Sequence, residues 1–232
     1  MQYAIRHSKR ARYLQLRISS KGLEVIVPEK KPVSPAMIEQ FIQQKASWIK
    51  RNTKRFGSMD ASTLVLPEEL YLSAISERWE IKYLQTGGPK ITLMTNHNNQ
   101  LSLIGNTKNK KLCLVVLHNW LKTKAFYPLE KILNQLSKET NLTYNQLTIR
   151  HNGSRWGSCS TKKNISLCCK LLFLSPHLVH HVLLHELCHT KVMHHGKAFW
   201  QLFKKFDHSA KEHAKELRLA SIELPKWIRE KS

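Results

Sequence analysis

The sequence predicts an α+β fold with a strand-rich N-terminal portion, on three observations. Short alternating apolar runs occupy most of residues 1–105, with one helical pattern among them. From about Asn109 the apolar period becomes mainly helical. The strongest helix opens on Ser175-Pro176 and contains His185-Glu186-Leu187-Cys188-His189, an H-E-x-x-H sequence. The change of period divides the chain into a β-rich portion with one helix, 1–105, and a second domain, 106–232, that carries this helix.

Taken in order, Tyr13, Leu14, Leu16 and Ile18 alternate like a strand, as do Leu23, Val25 and Val27. The join at Lys21-Gly22 makes them a hairpin. Ser34-Pro35 reads as an N-cap and first helical residue, followed by Met37, Ile38, Phe41, Ile42, Ala46, Trp48 and Ile49 at helical spacing. Strand-like runs return at 64–66, 71–72, 81–84, 91–94 and 101–104, with turn signals at Thr86-Gly87-Gly88-Pro89 and Asn96 to Asn99. Leu114, Leu117, Leu121, Ile132, Leu133 and Leu136 mark a helix over about 109–141, which Pro128 is expected to kink or divide. A short strand at 147–149, a polar loop from Arg150 to Asn164 and an apolar run at 165–174 lead to the Ser175-Pro176 helix, expected to reach at least Val192.

Composition narrows the functional class. The 232 residues hold 41% apolar and 23% charged side chains, a globular balance. No run of 18 uncharged apolar residues is present, so no membrane-spanning helix is expected. The basic N-terminus has no apolar run behind it, and the five cysteines form no C-x-x-C pair. Both point to a reducing, cytoplasmic setting. The net charge of +22 is uneven, residues 1–55 alone holding 13 basic and 3 acidic groups. A field of that sign attracts polyanions, so non-specific nucleic-acid binding is the alternative function to weigh.

His185 and His189, four residues apart, stand one turn above each other on one helix face and can share a Zn²⁺ ion. Glu186 lies about 100° around the helix from His185 and about 60° from His189, where it reaches a water without being a ligand. A third ligand is needed from elsewhere. His181 is about 12 Å along the axis from His189, too far for one ion. His194 and His195 follow the helix, and Gly196 offers a turn that can bring one of them back.

Arg155-Trp156-Gly157-Ser158-Cys159, the H-E-x-x-H itself and His195-Gly196-Lys197-Ala198-Phe199-Trp200 together resemble the YgjP-like metallopeptidases, a family similar to the SprT-like and WLM zinc peptidases. The resemblance implies a minimal zincin-like catalytic domain over 106–232, a Zn²⁺ cofactor, and a peptide or protein substrate. It makes His185, His189 and His195 the metal ligands and Glu186 the catalytic base, and brings the Arg155 to Cys159 loop beside the cleft. Arg155 and Trp156 are then candidate substrate contacts, although Trp156 can equally plug the core. Arg155 or His181 can assist the oxyanion, and Asp207 can support a ligand histidine. Cys159 as a fourth ligand would leave no place for water; Cys188 and the Phe199, Trp200 and Phe203 stripe read as packing. Val192 stands where metzincins have glycine, so their turn is absent, and Glu212 and Glu216 are the nearest carboxylate alternatives for a ligand. The related families extend the nucleic-acid alternative to cleavage of DNA-bound proteins.

Overall fold

In the computed structural model, which describes residues 3–19, 22–30, 32–49, 64–151 and 155–229, the N-terminal strand pattern closes as the expected hairpin. β2 (Gln15–Ser19) and β3 (Gly22–Pro28) pair antiparallel, with Leu16 opposite Val25 and Ser19 opposite Gly22. Gly22 takes a positive φ of 104°, the reason a glycine stands at this turn. β1 (Tyr3–Ser8) adds parallel to β3, giving the order β1-β3-β2. Its mostly exposed side chains lack a clear alternation, so no sequence pattern announces it. α1 (Pro35–Gln44) begins where Ser34 Oγ accepts from Met37 N at 3.3 Å. It buries Ile38 in a cluster with Val25 and Val27, covered by Leu16 and Ile42.

The chain forms two units, Met1–Leu64 and Val65–Ser232. The division at 105/106 drawn from the change of period falls inside the second. There β4 (Glu69–Leu72), β5 (Glu77–Gln85), β6 (Ile91–Thr95) and β7 (Gln100–Gly105) form a sheet of order β4-β5-β7-β6. β5 and β7 are parallel and the outer pairs antiparallel; the expected strand at 64–66 is not one. The sheet is tied to α2 (Lys110–Thr140) by the Trp79–Trp120 edge contact, centroids 5.0 Å apart, and by Lys124 Nζ at 2.7 Å from Glu77. Packing across the period change joins what a periodicity boundary separates.

α2 is one helix of 31 residues and passes through Pro128 undivided. A proline removes one intrahelical hydrogen bond, but Leu121, Ala125, Leu129 and Leu133 make a fully buried stripe that continues across it. β8 (Gln146–Arg150), β9 (Gly157–Cys159) and β10 (Asn164–Cys168) form a second sheet, β8-β10-β9. β8 runs parallel to β10, and β9, inside the expected polar loop, antiparallel with Gly157 opposite Leu167. A buried 3₁₀ turn at Cys169–Phe173 leads to α3 (Pro176–His189), α4 (Lys197–Phe206), α5 (Ala210–Glu223) and the short α6 (Lys226–Arg229). α3 packs against α2, α4, α5 and β9. No helix among the described residues is long and apolar enough to cross a membrane. The basic run Lys50, Arg51, Lys54 and Arg55 lies outside the described residues.

Candidate metal centre

Ser175 holds the N-cap position of α3 through its carbonyl, which accepts from Leu178 N and Val179 N at 3.1 Å, while its hydroxyl makes no capping bond. Four-residue steps then place His177, His181, His185 and His189 along one face. The helix stops at His189 rather than reaching Val192. Lys191 N and Val192 N turn back onto Cys188 O, and Val192 O accepts from His189 Nδ1 at 3.1 Å. That bond fixes the ring and leaves Nε2 with its lone pair outward. Gly196 is the extended N-cap residue of α4, φ −80°, so the return comes from residues 190–195 and uses no left-handed glycine.

This return brings His195, not His194, onto the helix face. The three Nε2 atoms of His185, His189 and His195 lie 3.0–3.1 Å from one another. Ligand nitrogens about 2.0–2.1 Å from one tetrahedral ion are roughly 3.3 Å apart, close to this triangle. Burial first, then the neighbouring His189 and His195, press the His185 pKa down to about 3. Burial also lowers that of His189. Neutral rings are the metal-binding form. Phe199 stacks on His189 at 4.6 Å and meets His185 edge-on at 4.9 Å, and Phe203 closes on His185 at 5.4 Å. The stripe that reads as plain packing therefore forms the wall behind the imidazoles. Trp200 Nε1 donates to His195 O at 3.0 Å, anchoring the one exposed member of the triangle.

Glu186 is buried, and its Oε2 has no hydrogen-bond partner among the described residues. Burial raises its carboxyl to about 7 against a smaller opposing pull from Arg155. The loop carrying Arg155 thus does reach this side of α3. Arg155 is exposed, whereas Trp156 is half-buried, its carbonyl accepting from Cys168 N at 2.8 Å. Gly157 lies flat against Glu186, where a Cβ would stand 2.7 Å from the carboxylate's Cγ and Oε1. Cys159 is raised to about 11, by burial first and then by the Glu186 charge, and is not part of the histidine triangle. Cys188 is buried, as expected.

Two expectations are corrected. Asp207 supports no residue of the triangle: its carboxylate faces His181 Nδ1 at 2.5 Å and His213 Nδ1 at 2.9 Å. His181, buried and turned to Asp207, is consequently not placed as an oxyanion contact. Sequence reasoning missed Gly157 and Trp200. For Gly157 the available signal was a glycine next to a tryptophan in an otherwise polar loop; nothing local marks Trp200.

The YgjP-like metallopeptidase domain matches residues 12–220. No curated protein matches the chain. Among solved structures, the metallopeptidase zymogen of Pyrococcus abyssi abylysin is similar at 24% identity and a TM-score of 0.36, covering 38% of this chain and 90% of that one. With the family match extending through both units and over every residue of the histidine triangle, the chain belongs to the YgjP-like metallopeptidases.

Proposed function

We propose that this metallopeptidase is a zinc enzyme in which His185, His189 and His195 hold the ion and Glu186 is the general base for hydrolysis of a peptide or protein substrate. The observation that carries the reading is the mutual 3.0–3.1 Å approach of three ring nitrogens. Protons cannot satisfy three such contacts between neutral imidazoles, since each ring has a single N–H and that of His189 is directed to Val192 O. Glu186 Oε2, unpartnered among the described residues, is the second sign of a missing polar partner. Three nitrogen donors with one side open suit catalytic zinc.

Bound there, zinc supplies a Lewis acid that polarises the scissile carbonyl and acidifies water. Glu186 accepts the proton of the attacking water and returns it to the departing amine. Burial strengthens that carboxyl as a proton acceptor. Gly157 holds that carboxylate on its line by filling the space behind it with backbone alone. Arg155, close enough to lower the Glu186 pKa, contributes positive charge where the carbonyl oxygen becomes negative. Trp156, half-buried in the same loop, offers an apolar surface to a substrate side chain.

Glu186→Gln tests the assignment. The amide keeps the shape but accepts no proton, so the variant should retain wild-type zinc content and lose about 10²–10⁴-fold in peptide hydrolysis. Near-wild-type hydrolysis in that variant removes Glu186 from the mechanism, and a metal-free wild type removes zinc.

A further inference from the structure

One helical turn before the triangle, the same face of α3 carries a second set of metal-binding groups. The Asp207 carboxylate lies between two imidazoles, with Oδ2 at 2.5 Å from His181 Nδ1 and Oδ1 at 2.9 Å from His213 Nδ1. One donor atom from each of the three residues falls within 4.8 Å of the others. The residues come from α3, from the position that ends α4 and from α5. Phe203 stands between this group and the triangle, its ring 5.2 Å from His181 and 5.4 Å from His185.

As a hydrogen-bonded network alone, two ring N–H groups on one carboxylate would be complete and would be expected to be sealed. Here His181 and Asp207 are buried, but His213 is partly exposed and all three line a cavity. This cavity, of about 380 Å³, is also lined by His177 and His180. At its edge Glu216 receives His177 Nε2 at 2.9 Å from both carboxylate oxygens. The rings of His177 and His213 are 5.3 Å apart, those of His181 and His213 5.6 Å. Imidazole nitrogen with carboxylate oxygen is the donor set of borderline divalent ions such as Zn²⁺, Ni²⁺ and Cu²⁺.

We propose that His181, Asp207 and His213 form a second site for a divalent transition-metal ion, separate from the catalytic triangle and reached through this cavity. An ion there takes the place of the two N–H···O contacts. Each Nδ1 proton moves to Nε2 of its ring through solvent, and the freed nitrogens with one Asp207 oxygen hold the ion and clamp α5 to the N-terminal half of α3.

The test is zinc stoichiometry of the full chain, dialysed at a micromolar buffered concentration of free Zn²⁺, with thermal melting alongside. Wild type should hold two ions per chain, and His213→Ala and Asp207→Asn one each. His195→Ala, which removes a triangle ligand, should keep the second ion, and its melting temperature should still rise with zinc. That rise should vanish in His195→Ala/His213→Ala. His213 is partly exposed on a helix that alanine favours, so this variant folds even if Asp207→Asn does not. One ion in wild type, or two retained in His213→Ala, overturns the site.

Discussion

Gly157 and Glu186, 29 residues apart in sequence, pack so closely that the space a methyl group would need on Gly157 is already taken by the Glu186 side chain: a Cβ there would stand 2.7 Å from Glu186 Cγ and Oε1. The strand β9 therefore sets the position of the acid–base group on α3 by what it leaves out.

Gly157→Ala should keep the metal and lose activity. The added carbon forces the carboxylate aside, and displacement of a reacting group by about 1 Å costs on the order of 10²-fold in rate. Overpacking should also cost about 1–3 kcal/mol of stability. Zinc analysis, kcat and a denaturation curve separate these effects. Activity within a factor of two of wild type would show that the carboxylate has room to yield.

Trp200 anchors His195 through the 3.0 Å bond from Nε1 to the backbone carbonyl. Trp200→Phe retains the ring packing and deletes the donor, so zinc affinity should fall about 10-fold, in the range for loss of an outer support. His195→Ala should lose the catalytic ion, and His194→Ala should not. Competition with a chelator of known affinity ranks all three. The reverse order of the two histidines would reassign the ligand.

The pair His118 and His151 should make the fold acid-sensitive. Their rings stack at 4.0 Å, and their Nε2 atoms donate to Trp227 O at 3.1 Å and Ile228 O at 3.0 Å, tying α6 to the core. Burial, His118 and Lys170 lower His151 to about 4, and burial lowers His118, with Lys170 and Lys122 adding to it. The unfolded chain takes up protons near pH 6.5, whereas the folded pair resists them. Their stabilising contribution is therefore complete above about pH 6.5 and lost as pH falls towards 4. Denaturant unfolding at pH 7 and pH 4.5 should show a smaller acid loss in His118→Gln/His151→Gln, which keeps donors but does not titrate. An equal loss in both proteins would assign the acid limb to other groups.

The hairpin of Leu16 and Val25, the Ser34-Pro35 start of α1, the strands near 81 and 101 and the Pro176 start of α3 were legible because alternation, caps and prolines act within a few residues of themselves. So was the alignment of His185 with His189, which helix geometry alone imposes. β1 was not legible, because a parallel edge strand needs no alternation of its own once β3 supplies the apolar face. Of the kink or division expected at Pro128, division does not occur: burial of Leu121 and Leu133 on either side outweighs one absent hydrogen bond.

The sequence by itself determined the α+β class, the two helix-borne histidines and the adjacent glutamate, since each is a consequence of local periodicity. Tertiary structure decided which later histidine returns to them, which partner Asp207 takes and how tightly Gly157 confines Glu186. Those outcomes depend on where α3 ends, how α4 packs its phenylalanines against the imidazoles and how β9 lies on β10. They join residues 6 to 29 positions apart, beyond the reach of any single helical or strand period, and are settled only when the elements pack.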